Sequence, residues 1–222
     1  MKKFMSIICS SLILITITYA QHTIKVRESK ENIGNGSHSC LSVAIYETTT
    51  DAIEKSWEKL MKSYDGKISS KKEIFADNVL IKDISNNTID VYAKCIPKNE
   101  NEIEFLVAVD LGGAFMNSSD HSAQFNTMEK IVKNFAKQTT LEGIDNKIND
   151  QQKVFDKRTK EMENLKKDKE KLEKDIENYK EKIKKAEEDI KKNLDDQASK
   201  QKEVDTEKAK LDEIIKLKNK VE

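Results

Sequence analysis

The stretch that decides the fold of the C-terminal part of the chain is MENLKKDKEKLEKDIENYKEKIKKAEEDI, residues 162–190. Positions a and d of a heptad repeat hold, in order, Met162, Leu165, Lys169, Leu172, Ile176, Tyr179, Ile183, Ala186 and Ile190. Only Lys169 interrupts the apolar series. Apolar residues at both positions with charged flanks are the signature of a coiled coil, so this stretch predicts a coiled-coil helix.

The same register extends in both directions along the chain. Positions a and d, which we call the seam, remain mostly apolar from Leu141 to Val221. No Gly or Pro occurs between Ile144 and Glu222 to end a helix. We therefore predict a long, charged coiled-coil helix over residues 141–222.

The seam weakens at three polar core positions, Asn193, Gln197 and Lys200. A bend at this point would fold the tail into an antiparallel hairpin. No Gly or Pro marks a turn, however, and the register resumes in phase at Val204. These two observations favour one continuous helix and leave the bend as the alternative.

A helix with a single apolar stripe needs a partner to cover that stripe. Ile at a with mainly Leu at d favours a parallel two-stranded coiled coil. The predicted partner is therefore a second copy, joined as a parallel homodimer through residues 141–222, with another helical envelope protein as the alternative. The chain has 40 basic and 40 acidic residues. Runs such as Lys184-Lys185 alternate with acidic residues, which predicts solvated faces with ion pairs and no nucleic-acid partner.

The first twenty residues have the pattern of a secretory signal peptide. Lys2 and Lys3 precede an apolar run from Phe4 to Ile17, and Ala20 is a small residue before a cleavage site. The run is short for a bilayer span, so an uncleaved anchor is the weaker alternative. Residues 1–20 therefore predict export to the periplasm or cell envelope, or secretion, and no membrane signal is expected after cleavage.

Residues 21–140 are predicted to form an α+β domain, a two-layer sandwich with the element order ββαβββα. Alternating apolar residues predict the strands, and apolar residues at helical spacing predict the helices. The expected strands are His22–Glu28, Cys40–Tyr46, a segment within Glu73–Ile84, Thr88–Cys95 and Glu102–Leu111. The expected helix ends are a cap at Thr50 or Asp51, a stop at Gly66, and a second cap at Ser118, Ser119 or Asp120.

Two cysteines, Cys40 and Cys95, follow the predicted signal peptide. Leu41 and Val43 alternate with Cys40, which places Cys40 opposite the apolar face, whereas Cys95 shares the apolar face of its strand. Side chains on opposite faces of a sheet cannot be bridged. Two free thiols are therefore favoured over a disulfide, which stays open at this stage.

Few residues have the potential to bind a metal. His38 and Cys40 are one residue apart, but the other candidate ligands, His22, Cys95 and His121, lie far away in the sequence. A structural zinc site needs four ligands at close spacing. The sequence therefore predicts no metal site.

The segment 112–121 is the second candidate site. Gly112-Gly113 lie between a predicted strand and a predicted helix, where phosphate-binding loops occur, but their spacing matches no phosphate-binding motif. Ser118, Asp120 and His121 offer groups for catalysis, yet helix capping accounts for the same residue types. No catalytic or cofactor-binding residue is predicted, and an enzyme or ligand binder using this loop is kept as an alternative.

Two stretches of the α+β domain carry a resemblance, Ser70–Asn78 (SKKEIFADN) and Val109–Phe115 (VDLGGAF). Together with the signal segment and the tail, they resemble a group of uncharacterised exported coiled-coil proteins of the Bacteroidota. The resemblance implies a Gram-negative periplasmic or envelope setting. It implies no site residues, since the group has no established activity.

These features together predict a non-enzymatic exported envelope protein. Its coiled coil would oligomerise, or space, a small α+β interaction domain. A periplasmic holdase-type chaperone that grips unfolded clients with helical arms is the alternative, by analogy of architecture alone.

Overall fold

A computed structural model describes residues 23–218 of the chain. The predicted signal peptide, the first residue of the predicted strand His22–Glu28 and the end of the predicted tail lie outside the described residues. The elements are β1 (Arg27–Ile33), β2 (Gly36–Tyr46), α1 (Thr50–Ser63), β3 (Lys67–Ser70), β4 (Ile74–Val79), β5 (Ile89–Asn99), β6 (Glu102–Asp110) and α2 (Ser122–Lys218).

The six strands form one antiparallel sheet in the order β1-β2-β6-β5-β4-β3. The predicted α+β class with a long C-terminal helix is confirmed, but the order is ββαββββα rather than ββαβββα. The missed strand, β3, lies at the sheet edge, and its lone large apolar residue, Ile68, gives no alternation to detect. The first strand begins at Arg27, later than predicted, because residues 23–26 have no regular structure.

The main core lies between one face of the sheet and the helices. The residues Ile53, Trp57 and Met61 form the fully buried stripe of α1. The Trp57 ring meets Phe105 of β6 and Phe135 of α2 edge-on, with centroids 5.0 and 4.8 Å apart. Each such buried side chain contributes about 1.5–3 kcal/mol, so this layer supplies most of the stability of the α+β fold.

The opposite face of the sheet carries a smaller cluster, made of Ile33, Cys40, Leu106 and Ala108. Cys95 packs against the main core instead. The predicted placement of the two cysteines on opposite faces is therefore confirmed, and both are free thiols.

The ends of α1 differ from the prediction by single residues. Thr49, rather than Thr50 or Asp51, is the N-cap, and its hydroxyl oxygen accepts a hydrogen bond from Ala52 N at 3.3 Å. At the C-terminal end Asp65 adopts the left-handed conformation with φ 62°. Gly66 follows it, and a side chain there would meet the Met61 carbonyl oxygen at 2.9 Å. Gly66 is thus required by close approach of the backbone.

The start of α2 is also not where the sequence predicted. Asn117, rather than Ser118, Ser119 or Asp120, organises the preceding turn, because its Oδ1 accepts hydrogen bonds from Ser119 N and Asp120 N at 3.0 and 2.8 Å. The first helical bond runs from Phe125 N to the His121 carbonyl oxygen. Several adjacent residues could each serve as a cap chemically, so residue type alone did not identify the position.

The chain divides into two compact units, Met1–Gln151 and Gln152–Glu222, and α2 contributes residues to both. The helix begins at Ser122, so the predicted second helix and the predicted tail are one element. It continues without a break through Asn193–Lys200, which confirms the continuous helix and excludes the hairpin. Within residues 23–218, neither helix combines the length and apolarity needed to cross a membrane.

Gly143 of α2 packs closely against the end of β2. A Cβ atom there would lie 2.3 Å from the Glu47 carbonyl oxygen. On either side of this contact, the Thr140 hydroxyl oxygen accepts a hydrogen bond from Tyr46 N at 3.2 Å, and the Lys147 ammonium pairs with the Glu47 carboxylate. Gly143 therefore has a packing role that the sequence analysis did not identify.

Candidate functional site

The seam of α2 is uncovered throughout the second unit. Leu165 exposes 65% of its surface and Ile190 61%, values far above those of a packed core. Within the second unit, the apolar seam residues exposed by more than half are Phe155, Met162, Leu165, Leu172, Ile176, Tyr179, Ile183, Ile190, Val204, Leu211 and Ile214. An exposed apolar stripe of this extent is typical of an interaction site.

The polar interruption of the seam is helical and internally bonded. Gln197 Nε2 donates to Asn193 Oδ1 at 2.6 Å, and the Lys200 ammonium pairs with Glu203 at 2.7 Å. The two amides satisfy part of each other's hydrogen-bonding capacity along the helix, although both occupy core positions. This segment is thus a polar layer of the seam and not a turn.

Ion pairs within the helix join Arg158 and Lys169, two charged residues of the seam, and residues beside the seam to neighbouring carboxylates. Examples are Arg158–Glu161, Lys169–Glu173 and Lys180–Glu177, at 2.8, 3.2 and 2.6 Å. All these side chains are exposed, so each pair contributes only about 0.2–0.5 kcal/mol. The pairs fit the predicted solvated faces, in which basic residues are matched by neighbouring carboxylates.

The candidate loop 112–121 has its amides already engaged. Asp110 Oδ1 accepts hydrogen bonds from Gly112 N at 2.9 Å and from Gly113 N at 3.1 Å. Both glycines have positive φ, 93° and 149°, which accounts for the choice of residue. A phosphate would have to displace a carboxylate of the chain itself to reach these N–H groups, so the loop geometry is unfavourable for binding an anion.

The polar residues at the end of this loop point to different partners. The Ser118 hydroxyl and backbone N–H both donate to the Glu28 carboxylate. Asp120 accepts from the Asn117 side-chain amide at 2.9 Å. His121 Nδ1 is buried and has no hydrogen-bond partner in the described part of the chain. The structure therefore does not join Ser118, Asp120 and His121 into a hydrogen-bonded relay of the kind that activates a nucleophile.

The Glu28 carboxylate has a structural role in this arrangement. Hydrogen bonds from Ser118, and then from Ser39, lower the pKa of Glu28 below its usual value of 4.5. The ionised form is the one that accepts these bonds. Glu28 thereby ties the loop before α2 to strands β1 and β2.

The residues considered for a metal site have other contacts. The His38 ring stacks on Phe115, with centroids 3.5 Å apart, and the Cys40 thiol donates to the His38 carbonyl oxygen at 3.4 Å. Burial raises the pKa of Cys40 to about 11 and that of Cys95 to about 12. Over residues 23–218 the structure contains no group of three or more His, Cys, Asp or Glu residues arranged to hold a metal.

An open groove of about 500 Å³ lies between α1 and the part of α2 from Ile131 to Glu142. Leu60, Tyr64, Ile131 and Phe135 supply its apolar part, and Lys59 and Glu142 lie among its polar lining. Sequence analysis did not identify it, because the groove depends on how two helices pack. The lining includes no cluster of catalytic groups.

Comparison with known proteins gives one finding. No curated protein and no solved structure matches the chain. A family model matches residues 93–218, which is more than half of the chain and runs from β5 to the end of α2. By this match, the chain belongs to the family described as Gammaherpesvirus protein of unknown function (DUF848).

Proposed function

We propose that the chain is a non-enzymatic exported envelope protein in which α2 associates with helical partners through its seam and joins, or spaces, copies of the small α+β unit. The observation that carries the proposal is the uncovered seam over the second unit. A single helix cannot bury this stripe itself, and no other part of the second unit is available to cover it, because α2 is its one described element.

The energetics support association. Between residues 162 and 190, seven large apolar seam residues are more than half exposed. Covering each contributes about 1 kcal/mol, or about 14 kcal/mol for two helices, which offsets an association cost of about 4–15 kcal/mol. The energy comes mainly from this strong segment, since polar residues occupy the seam farther along.

The α+β unit supports the non-enzymatic part of the proposal. Its glycine loop amides bind Asp110, its Ser118 hydroxyl binds Glu28, and its buried thiols are protonated at neutral pH. The carboxylate beside Ser118 has a lowered pKa and is therefore a weak base, and the thiols have raised pKa values, so none of these groups is prepared as a nucleophile. The export and envelope setting comes from the signal segment, residues 1–20.

The test is the oligomeric state of residues 21–222 in solution, measured by light scattering and sedimentation. We expect a dimer or higher oligomer at micromolar concentration. Ile183→Glu on the seam should weaken association strongly. Asn178→Glu, which adds the same charge on the outer face, should not. A monomeric native chain would overturn the proposal and favour the client-binding alternative, which predicts suppression of client aggregation.

A further inference from the structure

The charged residues beside the seam follow an order that depends on the orientation of the partner. In a parallel, in-register pair of helices, each g position faces the e position of the next heptad on the other helix. We call each such contact, from a g position of one helix to an e position of the other, a step. Both residues are charged in five steps: Glu161–Lys166, Asp168–Glu173, Asp175–Lys180, Lys182–Glu187 and Glu203–Lys208. Four of these five steps join opposite charges, and only Asp168–Glu173 joins like charges.

We propose that the partner of α2 is a second copy of the chain, parallel and in register, selected by these four complementary steps. The proposal rests on the proposed function, because it specifies the occupant and orientation of the same seam. In a symmetric pair every step occurs twice, so the excess of attraction over repulsion doubles. All the residues of these steps are exposed except Asp175, which is half-buried. Glu161, Lys180 and Glu203 each pair with a neighbour along their own helix, and in the dimer these exposed side chains would turn to, or share their charge with, the second helix.

Antiparallel pairing orders the same charges less favourably. In an antiparallel pair, e positions face e positions and g positions face g positions. Which residues meet depends on how far one helix is shifted along the other. When Ile176 lies opposite Leu172 of the partner copy, Asp175 faces Asp175 of the partner copy and Glu173 faces its Glu173. Lys166 faces Lys180 in this alignment. These contacts are repulsive and outnumber the attractive one, Asp168 opposite Lys182, so this alignment is disfavoured.

A second antiparallel alignment places Ile176 opposite Tyr179 of the partner copy. Within the second unit it retains three attractive contacts but opposes Glu161 to Asp196 and Asp168 to Asp189. The parallel alignment has one repulsive step where this one has two. The parallel pair is thus the arrangement that the charge order favours most.

Lys182 and Glu187 provide the sharpest test. Within the described residues neither joins an ion pair along its own helix, although the Lys182 ammonium lies over the Tyr179 ring, 5.6 Å from its centre. Neither charge is therefore neutralised within its own helix. Lys182→Glu places like charges at two steps of the homodimer, and Glu187→Lys does the same with the opposite sign. Each variant alone should dissociate about 10-fold more readily than the native chain.

Mixing the two variants decides the orientation. In a parallel heterodimer of Lys182→Glu with Glu187→Lys, both steps again join opposite charges, so the mixture should recover native affinity. In the second antiparallel alignment these positions face Asp175 and Lys166, and mixing gives no recovery. Dimers without recovery, or single variants as tight as the native chain, would overturn the inference and leave the proposed function standing. A monomeric native chain would overturn both.

A disulfide test measures the register directly. We use Met162→Cys on the seam and Lys160→Cys on the outer face as the matched control, both in residues 21–222 with oxidised glutathione as the oxidant. Parallel pairing brings the two copies of position 162 together, so it should give a covalent dimer, and the control should not. Antiparallel pairing places Ala186 or Asn193 opposite position 162, and absence of the cross-link would overturn the inference.

Discussion

Replacing Gly143 with Ala should destabilise the α+β unit, although it raises the intrinsic helix propensity at this position. An exposed Gly to Ala change within a helix gains about 1 kcal/mol of intrinsic propensity. At this position the new Cβ would lie 2.3 Å from the Glu47 carbonyl oxygen, 2.9 Å from its carbonyl carbon and 3.0 Å from Thr48 Cβ. Two of these three atoms are backbone, so no rotamer change relieves the overlap.

The magnitude follows from the two opposing terms. Overpacking of this kind costs about 1–3 kcal/mol, and a backbone contact at 2.3 Å places it at the upper end or beyond. After subtraction of the gain in propensity, the net loss is about 2 kcal/mol, or about 4–8 °C in Tm for a unit of about 150 residues. Displacing the helix would also lengthen the hydrogen bond between Tyr46 N and the Thr140 hydroxyl.

Trp57 gives an assay specific to this unit. It is the one tryptophan of the sequence, it is fully buried, and it contacts Phe135 of α2. Urea unfolding followed by its fluorescence should show a lower midpoint for Gly143→Ala. Asn146→Ala, an exposed change in the next turn of α2, should raise the midpoint slightly. If both variants stabilise the unit, the close approach at Gly143 is wrong.

Three further predictions concern acid stability, thiol reactivity and the seam. Because the hydrogen bond from the Ser118 hydroxyl lowers the pKa of Glu28, the carboxylate stabilises the fold above pH 4.5 and loses this contribution as the pH falls through the pKa of the folded state. Glu28→Gln should therefore flatten the decline of the urea midpoint between about pH 5 and 3. Equal slopes for the variant and the native chain would contradict this. Because the thiolate is the reactive form, the raised pKa values of Cys40 and Cys95, about 11 and 12, should slow their reaction with a thiol reagent at pH 8. We expect the folded chain to react at least about 100-fold more slowly than the chain unfolded in urea. Comparable rates would refute the burial of the two thiols. Lys169→Ile replaces the charged residue at an a position of the seam with an apolar one, so it should tighten self-association about 10-fold in sedimentation equilibrium. Weaker association would show that position 169 is not in the interface.

The parts of the fold that could be predicted depend on short-range periodicity. Alternation from Ile103 to Val109 identified β6 and its buried face. The same alternation assigned Cys40 and Cys95 to opposite faces, which the two clusters confirm. These inferences succeeded because the side-chain period of a strand is fixed by backbone geometry and is independent of the rest of the fold.

The parts that were missed depend on contacts between distant residues. The bonds between Glu28 and Ser118 join positions 90 residues apart, and no local pattern indicates them. Ser118 was read as a helix cap because its residue type suits that role, but its hydroxyl is used elsewhere. The packing of Gly143 on Glu47 is also long-range, and its one local sign is a glycine inside a helix.

The two parts of α2 carry apolar stripes in different phases, and this limits where the seam can begin. Toward the sheet, α2 buries Phe125, Met128, Val132, Phe135, Ala136 and Thr139. In the heptad frame these residues fall at positions b, c and f, whereas the seam occupies a and d. Extended back before Leu141, the a and d positions hold the exposed polar residues Lys130, Asn134 and Lys137. A partner helix gains nothing by covering them, so pairing along the seam should begin no earlier than Leu141. The change of stripe within one helix also explains why no Gly- or Pro-rich linker separates the α+β unit from the tail.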